Sequence, residues 1–369
     1  MTVPFAERGG RFRGGIDLLA GRLPRFIFGG QVGALLPVFH FHDERRGDLE
    51  PQLQYLADNG YRTVTADDIG RYVRRDAPLP ARAVALCFDD AWASVWTMAA
   101  PLLERHGFTA IVYAIPGRTE DAAAVRDQEA AIPERSSPLM TWPELRALHS
   151  RGTIDVQSHT FSHAQIDVSD TVTAFVDREY AATPLFSRPL LRPHSDAGGT
   201  PSRPVFATPH DLGLPLYPTR SAMSDAPRVV HDPAVAEACL RLAREQGFFD
   251  APHWRVQLEA IVSAAQPGVA ETESDQTARI ERELADSRAE INARLGADVV
   301  RHVCLPWGVS GARTEAALTR LGFSTAVANR MPGMFAVRPG DHPFWLKRLP
   351  NRYIYRLPGR GRRWWFVAR

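Results

Sequence analysis

Two carboxylates stand side by side at Asp89 and Asp90, and two imidazoles stand four residues apart at His159 and His163. The acid pair directly follows a continuous apolar run, AVALCF (83–88), which reads as a buried strand. Adjacent carboxylates at a buried strand end are costly without a partner, and a metal ion with a proton to handle supplies one. The histidines lie in Ser158-His159-Thr160-Phe161-Ser162-His163, which follows another strand-like run, TIDVQ (153–157). Two His at this spacing share one helical turn or tight loop, a common chelating geometry. Each feature alone also fits an ordinary surface loop. Their joint occurrence at strand C-terminal ends, where barrels collect catalytic groups, points to a metal-centred site.

Two further segments stand in the same kind of position. Leu305-Pro306-Trp307-Gly308 follows the strand-like VVRHVCL (299–305) and reads as a tight turn. A backbone N–H in such a turn can serve an oxyanion, although a plain strand-to-helix turn has the same composition. LPVFHFHD (36–43) ends in His40 and His42, which alternation places on one face of a strand. His40 reads as a satisfied core histidine; for His42 the functional and structural readings balance.

These residues need a scaffold, and strand and helix signals alternate through the first third of the chain. Strands are expected at 36–41, 61–65, 83–88, 108–115 and 153–157, with helices between them; Asp48 is the expected cap of the first and Thr141 of the last. This βαβ alternation argues for a parallel sheet or barrel. From about 165 to 275 the pattern breaks into a Pro-, Asp-, Ser- and Thr-rich stretch, with helices expected only near 232–247 and 252–265. A stretch of that length is read as an insertion with structure of its own, starting beside His163 and expected to cover the site. Order resumes with a helix to Leu295, strands at 299–305 and 323–328, a helix at 312–321 and a last strand near 344–349.

Composition excludes several classes. The 369 residues carry a formal charge of +2, with 23% charged and 44% hydrophobic residues, which argues against wholesale disorder and against a polyanion binder driven by bulk charge. No apolar run is long enough to span a membrane and no secretory leader is visible. With three scattered cysteines, Cys87, Cys239 and Cys304, the expected compartment is the cytoplasm. The charge is uneven: residues 1–30 hold five Arg against two acids, and residues 347–369 hold Lys347 and seven Arg with no acid. Trp364, Trp365 and Phe366 lie in that basic end, a mix that suits an anionic membrane surface on the cytoplasmic side.

With these motifs in place, the sequence resembles the polysaccharide deacetylase (NodB-like) family, carbohydrate esterase family four. The matching stretches are LPVFHFHD, NGYRTVT (59–65), ALCFDD (85–90), HGFTAIVY (106–113), MTWPELRALHSRG (140–152), QSHTFSH (157–163), CLPWG (304–308) and LGFSTAV (321–327). The resemblance implies an α/β fold, a distorted (β/α) barrel with a large partly helical insertion. The expected layout is a basic arm (1–33), a first barrel part (34–164), the insertion (165–275), a second barrel part (276–350) and a basic aromatic tail (351–369). It implies Asp90, His159 and His163 as ligands of one divalent ion, Zn foremost with Fe, Co or Ni also compatible. Asp89 becomes the general base, Trp307 the oxyanion donor and His42 a residue of the site floor.

The implied activity is removal of an N-acyl group, acetyl or formyl, from an amino sugar. Without an export signal, the expected substrate is an intracellular lipid-linked or nucleotide-linked glycan precursor, with no nucleic-acid partner. Departures from the family pattern also matter. Ala91 stands where Gly is usual. Cys304 replaces the Arg that braces the base. Leu346-Lys347-Arg348 stands where the general acid is expected, leaving His342 as a nearby candidate. These departures motivate a second reading, a silent relative that binds a glycan or a biosynthetic partner.

Overall fold

The structure, a computed structural model, describes residues 19–128, 139–178, 211–329 and 334–363. Trp364, Trp365 and Phe366 lie outside them, as does most of the N-terminal arm. The described chain divides into two compact units, one comprising Ser162–Glu281 with Gly311–Thr314 and the other the remainder.

The larger unit is built on parallel strands: β1 (Val38–Phe41), β2 (Arg62–Thr63), β3 (Ala83–Asp89), β4 (Ala110–Ala114) and β5 (Ile154–Ser158). Residues of β3 and β4 are buried throughout, the signature of strands covered on both faces. β3 is the hub, pairing with β1, β2 and β4. The helices between them, α1 (Arg46–Asp58), α2 (Ala66–Arg74), α3 (Ala100–His106) and α4 (Trp142–Ser150), fill the expected intervals. α2 and α4 start in capping boxes, Thr65 with Asp68 and Thr141 with Glu144. α1 corrects the expectation at Asp48: the helix begins at Arg46 after Arg45, and Asp48 lies in its first turn, where its charge suits the helix dipole.

The smaller unit, by itself, is more than two helices. Three two-stranded antiparallel ribbons pair β6 (Gln165–Asp167) with β9 (Thr219–Ser221), β7 (Ala174–Phe175) with β8 (Pro215–Leu216), and β10 (Val229–Val230) with β11 (Val269–Ala270). Strands of two or three residues are too short for an alternating pattern to show. Helix α5 (Pro233–Ala243) starts on Asp232, whose carboxylate accepts from the Ala234 N–H, and α6 (Trp254–Ser263) follows. Phe175, Cys239, Phe248 and Leu258 form a core between them.

Beyond α7 (Glu273–Leu295), the larger unit continues with β12 (His302–Cys304), α8 (Ala312–Arg320), β13 (Thr325–Val327) and β14 (Leu349–Pro350). The strand order is β13-β12-β5-β4-β3-β1-β14. An isolated parallel bridge, Val327 to Leu346, ties β13 to the segment leading into β14, so the two ends of the order meet. The result is a distorted barrel. Side-chain cross-links hold it: the buried His302 ring bonds Thr325 Oγ1 at 2.8 Å and reaches the exposed Asp67 Oδ1 at 3.0 Å, and the Asp155 carboxylate accepts from the Ala66 N–H at 2.9 Å.

Part of the basic ends is committed internally. Arg362 donates to the carbonyls of Phe26, Gly29 and Gly30, Arg356 donates to the Arg363 carbonyl, and Arg22 bonds Asn329. No described helix is long and apolar enough to cross a membrane.

Candidate active site

Asp89 is the last residue of β3 and is buried. Its carboxylate accepts two hydrogen bonds from the Arg348 guanidinium, at 2.6 Å to Oδ1 and 2.7 Å to Oδ2. Burial alone would raise the Asp89 carboxyl, but the charge and the two bonds of Arg348 hold it far below the usual carboxylate range. Arg348 thus supports Asp89, the residue expected to be the base, and arrives from the segment before β14 rather than from position 304. The sequence offered Arg348 only as an occupant of the general-acid position, and its partner lies 259 residues away.

His42, at the exit of β1, is exposed, and its Nε2 lies 3.6 Å from Asp89 Oδ2. His40 departs from the expected satisfied histidine: its Nδ1 is buried without a hydrogen-bond partner, and burial, then Arg348, hold its pKa down to about 3. The ring is neutral and packs edge-on against His42, 5.6 Å between centroids. His342 stacks on Trp345 at 4.4 Å and belongs to neither ligand group described below.

Beyond Asp89 the chain turns sharply. Asp90 and Ala91 adopt left-handed backbone angles, φ 64° and 57°, so Ala stands where a Cβ is a cost. Asp90 is buried and accepts from Trp92 Nε1 at 3.2 Å. Burial lowers nearby Arg118 to about 10, opposed by the charges of Asp90 and Glu283.

The histidine loop leaves β5 under several constraints. Ser158 Oγ bonds Ser287 Oγ at 2.7 Å and accepts from the Thr160 N–H at 3.1 Å. The Phe161 N–H donates to the Glu283 carbonyl, and the Phe161 carbonyl accepts from the Gly117 N–H, both at 2.9 Å. A Cβ at Gly117 would sit 2.7 Å from that carbonyl, so glycine is required there. His159 is buried, and its Nδ1 bonds the Cys304 carbonyl at 2.6 Å. A carbonyl only accepts, so Nδ1 carries the proton and Nε2 keeps its lone pair. Nε2 lies 3.6 Å from Asp90 Oδ1.

Seven non-glycine residues among those described have positive φ, and five of them, Asp90, Ala91, Thr160, His163 and Trp307, lie in these three loops. Concentrated backbone strain of this kind marks functional sites. Trp307, in the Pro306–Gly308 turn after β12, has φ 55° and a partly exposed ring.

Ligand atoms of Asp90, His159 and His163 all lie within 4.8 Å of one another. Two ligands held 2.0–2.2 Å from a tetrahedral ion stand about 3.4 Å apart, so the Asp90–His159 separation fits. One carboxylate and two imidazoles, one with its tautomer fixed by a carbonyl, suit a divalent first-row metal. Asp89, His159 and Cys304 also lie within reach of one another. That set is unsuited, because burial pushes the Cys304 thiol well above its usual range, which disfavours the thiolate a metal needs.

Parts of the chain are similar to known proteins. Residues 76–182 match the sequence profile of the family described as polysaccharide deacetylase. The chain is 30% identical over 147 residues to the poly-beta-1,6-N-acetyl-D-glucosamine N-deacetylase of Escherichia coli (strain K12), covering 38% of this chain and 21% of the relative. It is 22% identical over 177 residues to the putative polysaccharide deacetylase YxkH of Bacillus subtilis (strain 168), covering 43% of this chain and 58% of that one. The chain therefore spans only a fraction of the length of these relatives. In fold it is similar to the BpsB deacetylase domain of Bordetella bronchiseptica, with a TM-score of 0.52 and 17% identity, covering 86% of this chain and 96% of the other. The family match is thus carried by residues 76–182, and the likeness in fold extends over most of the chain.

Proposed function

We propose that the chain is a metal-dependent N-deacylase that removes an acetyl group from an amino sugar within a glycan. The observation that carries this reading is the convergence of Asp90, His159 and His163 beside an Asp89 that Arg348 keeps ionised. The Escherichia coli relative, by its name, acts on poly-beta-1,6-N-acetyl-D-glucosamine, and a polymer of N-acetylated sugar is accordingly the proposed substrate class. Nothing observed favours a lipid-linked or nucleotide-linked precursor, or a membrane surface, over that polymer. Arg348 also counts against a silent binder, because a braced, buried carboxylate has no evident use in simple glycan binding.

Asp90, His159 and His163 would hold the ion, which when bound polarises the acyl carbonyl and makes a water acidic. The remaining steps fall to the chain's own groups. Asp89, ionised throughout the neutral range, accepts the proton of the attacking water. Exposed His42, 3.6 Å from Asp89 Oδ2, is placed to pass it to the departing amine. The Trp307 N–H, in its constrained turn, is assigned to the oxygen that gains charge.

The experiment is amine release from an N-acetylglucosamine oligomer together with metal analysis. Asp89→Asn should keep its metal and lose at least about a hundredfold in turnover. Asp90→Asn should lose both. Equal metal loss in the two variants, or turnover that persists in Asp89→Asn, would overturn the assignment.

A further inference from the structure

We propose that Trp92 is a positioning residue of the metal site, holding Asp90 so that one particular oxygen of its carboxylate is offered to the ion. The inference rests on the reading of Asp90, His159 and His163 as metal ligands. An aspartate side chain turns about two bonds and can offer either oxygen, so a ligand of this kind is pre-organised only when a group outside the metal fixes it. His159 has such a partner in the Cys304 carbonyl. For Asp90 the indole of Trp92 is one: its Nε1–H donates to Oδ2 at 3.2 Å, while Oδ1 is the oxygen 3.6 Å from His159 Nε2. The two oxygens are thereby told apart, Oδ2 toward the indole and Oδ1 toward the imidazole.

The backbone explains how a residue two positions beyond Asp90 reaches back to it. Left-handed angles at Asp90 and Ala91 turn the chain sharply, and the arm that leaves the turn is pinned. Trp92 forms an antiparallel bridge with Leu139, and the Met140 N–H donates to the Ala91 carbonyl at 2.7 Å. On its other side the Trp92 carbonyl accepts from the Val95 N–H at 2.9 Å. Leu139 is itself fixed, since its carbonyl accepts from Arg126 Nη2 at 2.7 Å and Arg126 is paired with the buried Glu144 in the first turn of α4. A series of bonds therefore runs from the capping box of α4 through Arg126, Leu139 and Trp92 and ends on Asp90. Trp92 is only partly buried, so core packing alone does not account for its place. A hydrogen bond from its N–H to a buried carboxylate, one of the stronger kinds, does.

The zinc affinity of the metal-free full chain, measured by competition with a chelator, tests this without any turnover. Trp92→Phe keeps an aromatic ring and removes the donor. Its Kd for zinc should rise at least about tenfold, the loss typical when an outer partner of a metal ligand is removed. Benzothienylalanine placed at position 92 keeps the shape of the indole with sulfur where the N–H stands, so folding and packing are preserved; it should show the same loss. A fluorinated tryptophan at that position keeps the N–H and should restore native affinity. A packing role would leave the benzothienyl chain at native affinity. Native affinity in Trp92→Phe or in the benzothienyl chain, or a fluorinated chain that binds as weakly as the benzothienyl one, would overturn the proposal. Failure of the native chain itself to bind zinc would refute the metal reading, and the proposal with it, so the two failures are told apart.

Discussion

Replacing Arg348 by Gln tests its support of Asp89, the proposed base, directly. The pair it breaks is buried, with side-chain exposures of 11% for Arg348 and 4% for Asp89. Removing one partner of such a pair costs about 3–5 kcal/mol, because the other charge is left uncompensated. His42 and His159 also lower the Asp89 carboxyl and soften the loss, which places it near the lower figure. At about 2–4 °C per kcal/mol for a domain of this class, Tm should fall by about 6–12 °C at pH 7. The pH dependence has a definite sign. In the native protein Asp89 lies below its unfolded value of about 3.9, so its contribution is present above that value and is lost as pH falls through the folded one. Without Arg348, burial dominates and raises the carboxyl, so Asp89 becomes destabilising above its unfolded value. The Tm deficit should therefore be large at pH 7 and shrink toward pH 4. Arg348→Lys keeps the charge but not the fork and should recover part of the stability. In amine-release assays kcat should fall while KM stays near the native value, since Arg348 acts through Asp89. A deficit equal at both pH values, or a kcat that does not move, would refute the reasoning.

Ala91 and Glu144 give two further tests. Ala91→Gly removes a left-handed penalty of about 1–2 kcal/mol but also loses a buried methyl and gains unfolded-state freedom, so urea melts should show a change under about 1 kcal/mol. Ala91→Val, β-branched at the same φ, should destabilise by more than about 2 kcal/mol; a neutral result would show that the turn relaxes freely. Glu144 is buried, accepts from Arg126 at 2.6 and 2.7 Å, and caps the Thr141 N–H at 2.9 Å. Burial would raise its carboxyl, but these bonds hold it below its usual value, so its contribution is present above about 4.3 and lost as pH falls through the folded value. Glu144→Gln should cost about 2 kcal/mol at pH 7 by thermal melts, with the deficit narrowing in acid; a constant deficit would contradict the charged pair.

What could be read from the sequence followed from locality. Asp89 and Asp90 lie at the end of a long apolar run and His159 and His163 after the strand-like TIDVQ, and both stretches form the strands expected of them. β12 and β13 are shorter than VVRHVCL and FSTAVA suggest, because Arg301 and Ser324 precede the paired residues and pairing begins only at His302 and Thr325. The ribbons of the smaller unit were invisible because two or three residues carry no period. The left-handed angles at Asp90, Ala91, Thr160, His163 and Trp307 had no signal either, since the usual one is glycine and none of these is glycine.

Arg348 shows why the remainder of the site was hidden. A motif reading asks which residue type stands at a given position, and at position 304 it found Cys instead of Arg. The physical requirement is different: a buried carboxylate needs a cation within bonding distance, whatever strand supplies it. In a closed barrel the segment before β14 lies beside β1, and β1 lies beside β3, so a long side chain two positions from Pro350 can reach the end of β3. Once the ring of strands is known, the basic residue at 348 and the small residue at 304 become complementary. A guanidinium arriving from one side does not need a second beside it, and a buried neutral thiol is tolerated in its place. The requirement at Asp89 is thus met from position 348, with a buried neutral residue at 304.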